Sequence, residues 1–309
     1  MENLLNARVF LILFCSWAIF VSSCKSDGSM SPVPEEPEQI EWLLTSVVKY
    51  REGNQGNPDA QLTISYDTLH RPIRVAEETR ELDAGFVNFV TKNIEYDDKG
   101  QIIKMSTVGG LEEWNHKFDY NEGGLLKRFW REATPVEAVY SYEGYTIIGN
   151  EILKRSNPEL PVDTNRNVYT FDANNNLSHL KIYRIKGEDN SLSWEINAEF
   201  TNYDQKTNPW AAVNIGNLHI WEIFNAIYQM NREPRVIDGM PFLSSNNPST
   251  IKISSTSYRG DEPSTRENTY EIEYGYDENG LVTQEILYHV DNGDYLVTNY
   301  TYTHIDEID

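Results

Sequence analysis

The residues able to do chemistry are scattered along this chain. Its six histidines (His70, His116, His179, His219, His289, His304) include no His-Glu-x-x-His and no pair on consecutive helical turns, so nothing aims two imidazoles at one metal ion. Asp172-Ala173-Asn174-Asn175-Asn176 has oxygen side chains at the first, third and fifth positions of a calcium loop. Such a loop also needs a glycine and a bidentate glutamate, where this chain has Leu177 and Tyr183. Asp163-Thr164-Asn165-Arg166-Asn167 fails the same test, and a turn accounts for both segments. No nucleophile elbow, phosphate loop or dinucleotide fingerprint occurs. A carboxylate pair for glycoside hydrolysis is defined by spatial separation, and among 48 acidic residues some pair always satisfies it. An enzyme without a recognisable motif is therefore the weakest of the functional readings, and neither metal nor cofactor is implied.

Aromatic residues are the remaining candidates, with 7 Trp, 19 Tyr and 11 Phe. A concave sheet with exposed Trp and Tyr stacks on sugar rings, offering an apolar body with a polar tip. Trp114, His116, Phe118 and Tyr120 alternate onto one strand face, and the turn that follows sets Trp130 opposite His116. Trp210 and Trp221 fall beside and on a predicted helix, where they would plug a barrel mouth or line a pocket. Trp114, Trp130, Trp210 and Trp221 are thus the candidate stacking residues. Alternating rows normally mark a buried face, so core is the expected role of the Trp114 to Tyr120 row.

A repeated hairpin must position these side chains. Tyr66-Asp67, Tyr96-Asp97, Tyr120-Asn121, Phe171-Asp172 and Tyr276-Asp277 each have, four positions after the aromatic, a residue type that tolerates positive φ: His70, Gly100, Gly124, Asn175 and Gly280. Two positions before it stand Ile64, Ile94, Phe118, Tyr169 and Tyr274, and six after it Pro72, Ile102, Leu126, Leu177 and Val282. An Asp or Asn opening a type I turn bonds its own backbone two residues on, and a left-handed residue then forms a bulge that restores strand twist. That geometry pairs Asp97 with Gln101 and sets Tyr96 opposite Ile102. Pro72 has no N–H for the ladder, so an edge or a bulge is expected there. Tyr140-Ser141-Tyr142-Glu143-Gly144 and Tyr203-Asp204 through Trp210 are degraded copies. Asn214 to Tyr228 has helical spacing, which predicts one helical insertion near 214–230. The expected fold is all-β: a long antiparallel meander of hairpins curled into an open or closed barrel, one domain over 41–309.

A net charge of -22 leaves no basic stripe for nucleic acid or anionic lipid, and 39% apolar residues supply a core. Val9 to Val21 is an apolar run of 13 residues behind Arg8. As a helix it reaches about 20 Å, short of a ~30 Å hydrocarbon core, so a secretory signal over 1–23 fits better than a span. Val21-Ser22-Ser23-Cys24 resembles a bacterial lipoprotein signal, which implies that Cys24 is acylated and becomes the first residue of the mature chain. Cys15 is then discarded, and no disulfide forms. Residues 24–40 read as a disordered tether, in which Lys25 to Gln39, 15 residues rich in Ser, Pro and Glu, span about 45 Å. Lys25-Ser26-Asp27 matches in part the surface-export signal of gut Bacteroidota lipoproteins, which leaves cell surface and periplasm both open.

Taken together, the Tyr-Asp-x-x-Gly-x-Leu hairpins, the late Tyr203-Asp204 with Asn208-Pro209-Trp210, the helical insertion and the signal resemble the Bacteroides-type lipoproteins of unknown function whose fold has been called porin-like. The resemblance covers about residues 41 to 303 and implies a curled antiparallel meander; the family has no established activity to carry over. It does not imply a pore, because strands such as Lys181 to Lys186 are too polar for a lipid-facing row. The resulting expectation is an outer-membrane lipoprotein, held in the bilayer by the Cys24 acyl anchor and monomeric, that binds glycan or peptide. The rival is a structural envelope component that docks a protein partner.

Overall fold

Turn chemistry at regular intervals leaves extended segments between the turns, and these become strands. The computed structural model describes residues 41–51, 58–81, 86–109, 114–132, 136–153, 163–210, 243–258 and 262–308. The expected signal, Cys24, the expected tether and the predicted helix near 214–230 with Trp221 lie outside the described residues. In chain order the strands are β1 (Trp42–Arg51), β2 (Ala60–Tyr66), β3 (Pro72–Glu81), β4 (Phe86–Tyr96), β5 (Ile102–Gly109), β6 (Trp114–Tyr120), β7 (Leu126–Arg131) and β8 (Val136–Glu143). They continue as β9 (Thr146–Leu153), β10 (Thr164–Phe171), β11 (Leu177–Ile185), β12 (Leu192–Thr207), β13 (Asn246–Ser257), β14 (Ser264–Tyr276), β15 (Val282–His289) and β16 (Tyr295–His304). Each pairs antiparallel with the next, and β1 pairs with β16 through Val47 and Tyr300, so the meander is a closed barrel.

The turns form as their residue types require. Asp97 Oδ1 accepts the Lys99 and Gln101 amides at 2.9 and 2.8 Å, and Asp67, Asp172 and Asp277 repeat the arrangement. Asn121 accepts from Leu125 in the same way. His70, Gly100, Gly124, Asn175 and Gly280 all lie between φ 59° and 80°. Tyr96 faces Ile102, as the spacing predicts.

A second irregularity follows every one of these turns. Beside the aromatic, the odd-numbered strand carries one extra residue: Ile73, Ile103, Lys127, Ser178 or Thr283. Pro72 sits at the first of these bulges, where its missing N–H costs no ladder bond. The extra residue also corrects one expectation. Trp130 pairs with Lys117, and His116 faces Arg131. A shift of one residue moves Trp130 to the opposite face from His116.

The tyrosines tie the repeats together. Tyr66 donates its hydroxyl to Leu44 O, Tyr96 to Pro72 O, Tyr120 to Ile102 O and Tyr142 to Leu126 O, at 2.6 to 2.8 Å. Tyr203 donates to Leu177 O, Tyr274 to Pro248 O and Tyr302 to Val282 O. Pro72, Ile102, Leu126, Leu177 and Val282 are the residues six positions after the turn aromatics, so each copy lends a carbonyl to the tyrosine of the hairpin that follows. Burial pushes these phenols above their ordinary range and keeps them protonated donors.

Alternation sorts the two faces of the wall. On β13 the buried Ile251, Ile253 and Ser255 alternate with Lys252, Ser254 and Thr256, and on β14 Tyr270 and Ile272 alternate with Glu271 and Glu273. The buried rows join in a single cluster that runs from Leu43 and Val47 on β1 to Tyr300 on β16. Each large side chain buried there contributes about 1.5 to 3 kcal/mol. Among the described residues the outer row is mainly Thr, Ser, Lys and Glu, and exposed apolar residues such as Val87, Phe89 and Val108 do not make a continuous band. A membrane-spanning barrel has the reverse polarity.

Candidate functional site

Beyond the apolar half of the interior, the same alternation carries ionisable side chains onto the inner wall. Two residues on from Val47 is Lys49, from Val75 Glu77, from Phe129 Arg131 and from Gly149 Glu151; two before Ile94 is Lys92, and two before Phe118 is His116. Lys92 and His116 are each 2% exposed, and Lys49, Glu77 and Thr107 are also buried. Neighbouring strands place these groups side by side. Lys92 stands opposite Thr107, His116 opposite Arg131, Glu151 opposite Asn165, and Asn165 opposite Arg184. The result is a polar belt along the inner wall from β1 to β11.

Within the belt, Arg131 Nε donates to His116 Nε2 at 3.3 Å while the imidazole stacks on Phe129 with centroids 5.4 Å apart. Asn165 Nδ2 donates to Glu151 Oε2 at 3.2 Å, and Arg184 lies 3.4 Å from the Asp163 carboxylate. Burial pushes Glu77 above the usual carboxylate range against the pull of Lys92 and Lys49, and it lowers Lys92 against the pull of Glu77. Burial, with Arg131 and Lys92 beside it, pulls His116 down to about 3. Glu151 is raised by burial, opposed by Asn165, Arg131 and Arg184. The belt therefore holds an electrostatic chain from Lys49 through Glu77, Lys92, His116, Arg131 and Glu151 to Arg184.

Three buried polar atoms of this wall have no hydrogen-bond partner: Thr107 Oγ1, His116 Nδ1 and Asn167 Oδ1. Because His116 Nε2 accepts from Arg131, the proton of the neutral ring sits on Nδ1, which makes that atom a donor. A buried donor or acceptor left unpaired costs about 1 to 3 kcal/mol, so three on one surface call for an explanation.

The aromatic candidates fall elsewhere. Trp114 opens β6 opposite Thr107, and its side chain lies outside the described residues. Trp130 is half-buried beneath the Arg128 guanidinium, 4.7 Å from the ring centroid. Trp210 is 3% exposed and packs edge-on against Tyr300, so it leaves no face free for a sugar ring. Asn208 holds it there by accepting the Trp210 amide at 2.9 Å and donating its own amide to Ser245 O. Asp67, Asp97, Asn121, Asp172 and Asp277 are engaged in their turns. The structure thus brings together Lys49, Glu77, Lys92, Thr107, Arg131, Glu151, Asn165 and Arg184, which motif reading missed. Their signal was parity with the apolar row.

No family model matches the chain, and no curated protein matches it. Among solved structures it is similar to a porin-like protein of Bacteroides vulgatus at 14% identity, covering 84% of this chain and 98% of that one with a TM-score of 0.44. It is also similar to a porin-like protein of Bacteroides uniformis at 16% identity, covering 84% and 96%, again with a TM-score of 0.44. The barrel assignment itself rests on the strand pairing.

Proposed function

We propose that this chain is an envelope lipoprotein, of the Bacteroides type that its hairpins and Cys24 signal resemble, and that it serves as a binding module presenting the inner-wall belt to a small ligand. The observation that carries this reading is the set of buried, unpaired hydrogen-bonding atoms on Thr107, His116 and Asn167. A polar outer wall supports a tethered barrel in water over an integral pore. Among the described residues, pairing of β1 with β16 leaves no edge strand for a partner to extend, which favours this reading over an envelope component that docks by strand addition. The acyl anchor, the outer membrane and the glycan or peptide class belong to the same proposal.

A thermal-shift screen of the full chain in detergent, against polysaccharide and peptidoglycan fragments, tests it. Ligand at a hundred times its Kd stabilises by about 2.7 kcal/mol, a shift of several degrees. Absence of any shift at millimolar concentration sinks the binding reading. Replacement of Cys24 by Ala should release the protein from the membrane fraction, and retention there would sink the anchor.

A further inference from the structure

We infer that the outer wall across β14, β15, β16 and β1 docks an arginine-bearing segment of a protein partner. This goes beyond the inner-wall reading and stands whether or not the belt takes a ligand. Ladder pairing sets two cross-strand rows there: Glu271, Tyr288 and Tyr295, and beside it Glu273, Ile286, Val297 and Tyr50. The residues that alternate with them, Ile272, Leu287, Thr298 and Lys49, are buried, so both rows point outward. Tyr288 and Tyr295 have ring centroids 6.0 Å apart, and with Ile286, Val297 and Tyr50 they form a half-buried stripe edged by two exposed carboxylates. Four strands span about 14 Å, the width of a polypeptide segment and not of a single ion.

The carboxylates say what the partner carries. On β3 to β8 outward acids are matched within the chain, Glu78 by Arg80, Glu95 by Lys104 and Glu137 by Arg128, at 2.8 to 3.1 Å. Glu271 and Glu273 have no such cation among the described residues. β15 and β16 contain no lysine or arginine, and Arg266, Lys49 and Arg51 fall on the other parity of β14 and β1. On β13 the outward Lys252 stands opposite Glu199 and Thr269. Burial and the Glu273 carboxylate hold the Tyr288 phenol above its ordinary range, the two groups being within hydrogen-bond reach. Elsewhere the chain shows what completes such a pair. Arg71 donates to Asp67 Oδ2 at 2.8 and 2.6 Å while its guanidinium lies 4.5 Å from the Tyr96 ring centroid. Arg128 does the same between Glu137, at 2.8 Å, and Trp130, at 4.7 Å. At Tyr288 and Glu273 the arginine has to come from another molecule. Its planar fork stacks on the ring and pairs with the carboxylate at once, which a lysine ammonium does not do. A net charge of -22 also draws a basic partner in from a distance.

Fluorescence anisotropy on the full chain in nonionic detergent tests the inference, with a short labelled peptide of alternating arginine and glycine and its lysine counterpart as probes. The arginine peptide should bind severalfold more tightly at physiological ionic strength. Glu273→Gln and Tyr288→Ser should each weaken its binding about threefold, the scale of one exposed ion pair or cation–π contact, and the double variant about tenfold. Glu199→Gln removes one outward charge from β12, away from the stripe, and should leave binding unchanged. Glu273→Gln keeps the side-chain shape, so it carries the test even if Tyr288→Ser disturbs the wall. Equal binding of the two peptides overturns the arginine assignment. A Glu199→Gln effect as large as that of Glu273→Gln overturns the docking face, because general attraction to an acidic protein would then suffice. Absence of binding by the arginine peptide overturns the inference outright and leaves the inner-wall reading to its own ligand screen.

Discussion

Protonation of His116 offers a direct measure of how closed the inner wall is. The ordinary imidazole value of 6.5 falls to about 3 in the folded chain. Between those values the unfolded chain takes up a proton that the folded chain refuses, so stability is present at neutral pH and is lost as pH falls below about 6.5. One pH unit is worth about 1.4 kcal/mol once the unfolded imidazole is charged, so acidification from pH 7.5 to pH 5.0 should remove about 2 kcal/mol through this one residue. Carboxylates contribute their own dependence over part of the same range, so the quantity to measure is a difference. His116→Gln keeps an acceptor for Arg131 and does not titrate. Urea unfolding of both proteins at several pH values should give profiles that diverge by about 2 kcal/mol toward pH 5.0, or about 4 °C in Tm for a domain of this length. Parallel profiles would refute the reasoning, because they would mean that His116 accepts its proton as freely when folded as when unfolded.

Other expectations concern the wall itself. Tyr120→Phe should cost about 1 kcal/mol in urea unfolding through loss of the hydrogen bond to Ile102 O, and Tyr274→Phe a similar amount. Gly100→Ala should cost about 1 kcal/mol because φ is 79°, with Gly100→Asn costing less. Gly149→Ala would set a methyl 2.8 Å from Tyr140 Cε1, so it should destabilise by about 1 to 3 kcal/mol as the ring is forced aside. Lys92→Met should cost about 3 kcal/mol by leaving Glu77 short of a partner, and Glu77→Gln in the same chain should recover much of it.

Local chemistry was legible in the sequence and closure was not. The Asp or Asn that opens each turn and the Gly, His or Asn that ends it are written within five residues, and both appear as read. The Tyr96 and Ile102 pairing follows from the same few positions. The bulge residues Ile73, Ile103, Lys127, Ser178 and Thr283 have no side-chain type common to all five, so nothing flagged the slip that turned Trp130 toward Lys117. The tyrosine to carbonyl bonds join hairpins 16 to 26 positions apart, and Tyr142, Tyr274 and Tyr302 lack the Asp or Asn that follows Tyr66, Tyr96, Tyr120 and Tyr203. The belt was hidden for a different reason. Lys and Glu in a strand ordinarily face water, and only counting by twos from Ile94, Phe118 and Val75 puts Lys92, His116 and Glu77 inside. Trp114 through Tyr120 was expected as core, and His116 and Phe118 are buried as that row requires.

Closure through β1 and β16 makes assembly wait for β16. Every other strand finds its partner in the segment that follows it, yet Thr45 bonds across to Thr301, 256 positions away. Until β16 arrives, β1 is a bare edge beside a growing sheet whose leading strand is equally bare, and both can template association with another molecule. Loop-closure entropy grows slowly with length, so the distance itself costs little free energy; its penalty is time spent with open edges. A chain cut before Tyr295 would therefore suffer more than the loss of one strand, because it would carry two permanent adhesive borders, and self-association should precede any measurable unfolding.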